Sequence, residues 1–240
     1  MTPTQIPIVD SHIHLFPETH LKTLSWHNAN NPLGTQHSVN EYRHAATQSN
    51  TTTPLLRGFI FLETDRLSSI TDSTPPNHGW QHALDEVSLL TRIALGTPVP
   101  GEGHVPQDKS LCLGIVPWAP VPGGPDVLSA YMEQVRGRTG EVVWGKVRGV
   151  RYLVQDKVAG TMLEGEFVEG LRWLGREGLV FDLGVDARSG GLGQLREAVE
   201  MMGLAYRGLE GDRAVTIVIS RSFFSFFFSS LRLQDLGSSC

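Results

Sequence analysis

Short apolar runs, each closed off by proline, glycine or polar residues, set the rhythm of the chain. They fall at residues 6–9, 55–62, 111–118, 147–154, 179–185 and 214–219. Each has the length of a strand and is mostly continuous rather than alternating, as strands buried on both faces of a parallel sheet are. The intervals read differently. Residues 80–95 put Ala83, Val87, Leu90 and Ala94 on one face at helical spacing. Residues 126–135 begin on an acidic cap after Pro-Gly-Gly-Pro, and the amphipathic stretches 167–176 and 192–202 run up to Gly178 and Gly203 as natural stops. Strands alternating with helices give repeated βα units, and so an α/β fold: a doubly wound sheet or a (β/α)8 barrel.

Six strands are two short of a closed barrel, a fold of about 250 residues. The intervals 17–54 and 63–110 are too long for simple βα connections and read as insertions. The expectation is therefore a TIM (β/α)8 barrel, incomplete at about six βα units, over residues 1–219. Residues 220–240 open on a Phe/Ser-rich stretch with neither helical nor strand period, and they are expected to lie outside that fold as an aberrant tail. Arg221 and the serines around it argue against a membrane anchor.

Composition narrows the classes of partner. The chain of 240 residues is 40% hydrophobic and 19% charged with net charge -5, so no basic face invites nucleic acid or an anionic membrane. Two cysteines, Cys112 and Cys240, make no disulfide framework, and residues 1–7 carry no basic and apolar leader. A cytoplasmic protein is expected, with homo-oligomerisation left open.

The chemistry concentrates at residues 9–16, Val-Asp-Ser-His-Ile-His-Leu-Phe. His12 and His14 stand two apart on a strand, so their side chains point to the same side. At the C-terminal end of a buried parallel strand that side is where active sites open. Two imidazoles there can ligate a divalent ion such as zinc, which would polarise a carbonyl or generate hydroxide from water. The other histidines (His20, His27, His37, His44, His78, His82 and His104) show no ligand spacing and are expected at the surface. The Gly123-Gly124 and Gly190-Gly191 pairs lack the strand–GxGxxG–helix setting of a nucleotide site.

Residues 8–16 (IVDSHIHLF) resemble the first strand of the amidohydrolase superfamily, and more narrowly its lactonase and decarboxylase branch. Residues 58–65 (GFIFLETD), 147–155 (VRGVRYLVQ) and 181–185 (FDLGV) resemble the second, fourth and fifth strands of fungal members, in order. The resemblance covers residues 6 to about 219. It implies a hydrolase that opens a sugar-derived or dicarboxylate lactone, with a small lactone or carboxylate as substrate. His12 and His14 match the pair that binds metal in many members and contacts substrate directly in metal-free ones. Arg151 matches an arginine that binds the substrate carboxylate or carbonyl, and Glu63 is a further substrate-binding candidate. The pattern departs from the family at two places. No histidine follows His104, where the family places one after strand six, and Asp235 does not sit where the family's strand-eight aspartate does. A non-oxidative decarboxylase, or a non-catalytic barrel remnant, are the alternative readings.

Overall fold

The computed structural model describes residues 7–28, 30–47, 55–70, 79–186, 191–209 and 214–221. Strands and helices alternate: β1 (Pro7–Ile13), α1 (Val39–Thr47), β2 (Leu55–Leu62), α2 (Gln81–Leu95), β3 (Cys112–Val116), α3 (Gly124–Trp144), β4 (Gly149–Arg151), α4 (Gly165–Arg176), β5 (Val180–Val185), α5 (Gly191–Tyr206) and β6 (Ile217–Arg221). Short 3-10 turns cover Glu18–Thr23, Pro106–Ser110, Val121–Gly123 and Thr161–Leu163. β6 takes in Ser220 and Arg221, the first two residues of the expected tail, and the rest of that tail, 222–240, lies outside the described residues.

All six strands are parallel. One ladder runs β1-β2-β3 and a second runs β4-β5-β6. Parallel bridges Ile115↔Val147 and Trp118↔Arg151 join β3 to β4. There the Ile115 N–H donates to Lys146 O at 2.8 Å, and the Arg151 N–H to Pro117 O at 2.9 Å. The strands thus succeed one another in chain order, with no reversal of the kind that marks a doubly wound sheet. Helices α2, α3, α4 and α5 pack side by side in the same order.

Burial follows from this layering. Val150, Phe181 and Leu183 from the strands meet Tyr131, Phe167, Leu171 and Leu174 from the helices in the main core. A second core gathers Phe59, Phe61 and Ile115 under Leu89, Leu90 and Ile93 of α2. Where β4 meets β5 the backbones come close. A Cβ on Gly149 would sit 2.2 Å from Val180 O, so only glycine fits there.

Several elements differ from their expected extent. β1 reaches on to Ile13 and so includes His12, whereas β4 keeps only three residues of the apolar run 147–154. In that run Val147 pairs with β3 alone, and Tyr152 to Val154 leave the ladder, Tyr152 and Val154 buried and Leu153 partly so. α3 extends well beyond 126–135, to Trp144, and breaks at Gly140, whose φ of 59° is left-handed.

Candidate active site

In a parallel α/β sheet, groups at the C-terminal ends of the strands share one opening. His12 lies in β1 and His14 one residue beyond it. Glu63 follows β2 directly, and Arg151 closes β4. The structure brings all four together.

The two imidazoles meet edge to face, with ring centroids 5.0 Å apart and an interplanar angle of 80°. His14 Nδ1 lies 3.0 Å from Leu62 O. A carbonyl can only accept, so Nδ1 carries the proton and Nε2 presents a lone pair. That Nε2 is 3.2 Å from His12 Nε2. Arg151 Nη1 lies 3.3 Å from His12 Nε2 and is a donor only, so it favours a lone pair on that nitrogen as well. The backbone N–H of His12 in turn donates to Asp10 Oδ1 at 3.2 Å, which holds the strand end in place.

Electrostatics keep the pair neutral. Burial, followed by the Arg151 charge, lowers the pKa of His12 to about 4. The same causes in the same order, with His12 added, take His14 to about 3. Arg151 is itself buried, 3% exposed, and its Nε sits 3.3 Å from Asp182 Oδ2 and 3.6 Å from Glu63 Oε1. Glu63 is only 1% exposed, not a solvated loop carboxylate. Burial pushes its pKa up to about 8 against the opposing pull of Arg151, with Asp65 and Glu86 adding to the rise. Its Oε2 accepts the N–H of Asp65, which adopts φ 55°, the one positive-φ non-glycine among the described residues. Strain of that kind gathers at functional loops.

The donor set can be tested against zinc. Zn–N bonds of about 2.0–2.1 Å at tetrahedral angles put two ligand nitrogens roughly 3.3 Å apart, close to the separation here. A catalytic zinc takes three protein ligands, and among the described residues no third histidine, cysteine or acidic side chain joins the pair. Arg151 moreover places a fixed positive charge beside His12. Among the described residues the donors therefore stop at two, His12 and His14, short of the three protein ligands of a catalytic zinc site.

Two features escaped the sequence reading. Asp182, the one charge inside the apolar run 179–185, is 4% exposed and faces Arg151. Its isolation within a strand buried on both faces was the available signal, since a charge in that setting needs a partner. His104, expected at the surface, is buried instead, with Nε2 3.2 Å from Glu102 Oε2. His20 and His37 are half-buried, and burial lowers both pKa values, that of His20 to about 4. His44 is exposed, whereas His27 and His82 are partly buried; His78 lies outside the described residues.

No family model matches the chain. It is similar to the L-rhamnono-gamma-lactonase of Scheffersomyces stipitis, with 33% identity over 195 residues, which is 81% of this chain and 56% of the lactonase. The chain thus spans a little over half the length of that relative. Its fold is similar to Amidohydrolase 2 from Bifidobacterium longum subsp. infantis, at TM-score 0.50 and 16% identity over 90% of this chain and 61% of that one. It is similar too to an amidohydrolase from Burkholderia multivorans, at TM-score 0.51 and 17% identity over 83% of this chain and 54% of that one.

Proposed function

We propose that this chain, a lactonase relative by sequence with the fold of amidohydrolases, is a hydrolase of the amidohydrolase superfamily built on six successive units of a (β/α)8 barrel. Its reaction is the opening of a sugar-derived or dicarboxylate lactone by water. The observation that carries this reading is the convergence of His12 Nε2, His14 Nε2 and Arg151 Nη1 within 3.3 Å steps at the C-terminal strand ends.

The roles follow from the charges. The Arg151 guanidinium is a donor only, so it suits the carbonyl oxygen, which gains negative charge as the tetrahedral adduct forms. His12 and His14, held neutral, accept hydrogen bonds and orient the attacking water. Water oxygen adds to the carbonyl carbon and the ring C–O bond breaks; one water proton passes to the ring oxygen, which leaves as a hydroxyl, and the other is released to solvent as the acyl group becomes a carboxylate. Glu63, with its proton affinity raised, sits behind Arg151 and sets how much of that cation's charge reaches the substrate.

The test is acid release at constant pH from L-rhamnono-γ-lactone and from a dicarboxylate lactone. The parent chain is expected to hydrolyse one of them. His14→Asn and Arg151→Lys are expected to lose about 10²-fold or more in kcat/KM, the usual loss for a general-acid/base or oxyanion contact. A folded parent sample that releases no acid from either lactone would overturn the catalytic reading and favour a non-catalytic protein.

A further inference from the structure

Arg151 and Asp182 are direct register partners on β4 and β5. From its place on β4 the arginine reaches over the next strand. Its Nε lies 3.3 Å from Asp182 Oδ2. Two residues on, and so on the same face of β5, comes Gly184. A Cβ added there would lie 2.9 Å from Arg151 Nη2 and 3.6 Å from Nε, with Leu153 Cδ2 at 3.3 Å. The guanidinium thus rests against β5, its Nε beside a carboxylate and its Nη2 over a residue with no side chain. Its remaining corner, Nη1, is turned the other way, 3.3 Å from His12 Nε2.

We propose that Asp182 and Gly184 are positioning residues that together form the seat of Arg151: Asp182 anchors Nε, and the empty position at 184 makes room for Nη2, so that Nη1 is aimed at the substrate oxygen. This rests on the reading of Arg151 as the carbonyl-binding cation. A counter-ion serving stability alone would be expected to take the fork by two nitrogens in parallel, the strongest arginine–carboxylate geometry. Here the ion pair with Asp182 is made at Nε, at 3.3 Å and without a hydrogen bond between those two atoms, while Nη1 faces His12. The glycine points the same way. Glycine inside a strand is unfavourable, and it marks places where another group must come close. At position 184 that group is the arginine head.

Gly184→Ala separates this role from a structural one. The main collision is with the far end of a flexible side chain, so the variant should fold with a Tm close to that of the parent while the guanidinium is displaced. Two readouts are expected to move. In protein labelled with 15N-arginine, the Arg151 Nε–H signal, assigned by its loss in Arg151→Lys, should exchange with solvent at least tenfold faster in Gly184→Ala and in Asp182→Asn. In L-rhamnono-γ-lactone hydrolysis, Gly184→Ala should lower kcat about tenfold with little change in KM, and should cost nothing further in an Arg151→Ala background. Unchanged Nε–H exchange in both variants, or equal activity losses with and without Arg151, overturns the proposal. If exchange moves as expected but the parent chain hydrolyses no lactone, the seat stands and the functional reading falls.

Discussion

At the scale of single residues, Glu63 gives the sharpest pH signature. Its folded-state pKa, about 8, lies above the ordinary 4.5 because burial disfavours the charged form. Between those values the folded chain holds a proton that the unfolded chain has released. The contribution of Glu63 to stability is therefore complete below about pH 4.5 and declines as pH rises towards 8. Glu63→Gln removes that slope. In urea melts at pH 5, 6.5 and 8, the variant should gain on the parent steadily with pH, and parallel curves would show that Glu63 is ionised throughout. Which residues gather at the site was only half legible beforehand. His12 and His14 stood out because their spacing is a local property of a strand, and Arg151 because residues 147–155 resemble a family strand. Asp182 and Gly184 come up against Arg151 through the register of β4 against β5, and no single run of sequence encodes that pairing.

At the scale of elements, the alternation of strands and helices was legible from hydrophobic runs, whereas polar residues buried between elements were not. α2 shows the difference. Of its expected face Ala83, Val87 and Leu90 are buried and Ala94 only partly so, whereas Leu84, Leu89, Ile93 and Glu86 are buried too, because the helix is covered on more than one side. Glu86 would pass for a solvated helix residue. It instead accepts from Arg66 Nε at 2.8 Å, both side chains being 1% exposed, and from the Thr64 backbone N–H at 3.3 Å. This pair ties α2 to the loop that carries Glu63. Removing one partner strands the other charge in a dry interior, at a cost of about 3–5 kcal/mol, whereas replacing both by apolar residues is often neutral. Glu86→Ala is expected to lose that much in urea unfolding, and Arg66→Met with Glu86→Leu to recover most of it. If Glu86→Ala costs under ~1 kcal/mol, water reaches the pair and the tie is a surface one.

At the scale of the whole molecule, the strand order leaves β1 and β6 as the two ends of a parallel run, each with one strand neighbour among the described residues. Both ends are apolar and accessible. Ile8 and Val9 are 45% and 47% exposed, and Val218 and Ile219 are 48% and 63% exposed. Ile8 and Val9 border a groove of about 510 Å³ lined also by Tyr42 and Ala45 of α1 and Leu56 of β2. Exposed strand edges with apolar side chains pair readily with another chain, and natural sheets protect them with charge, above all lysine. The expected behaviour is self-association: the weight-average sedimentation coefficient should rise over a tenfold range of concentration. Val9→Lys together with Ile219→Lys places a charge on each edge without touching His12, His14 or Arg151, and should return the chain towards a single monomer-sized species. A parent chain that sediments as a monomer throughout that range would mean that residues outside the described ones already cover both edges, and the lysine pair would then cost stability instead of improving dispersity.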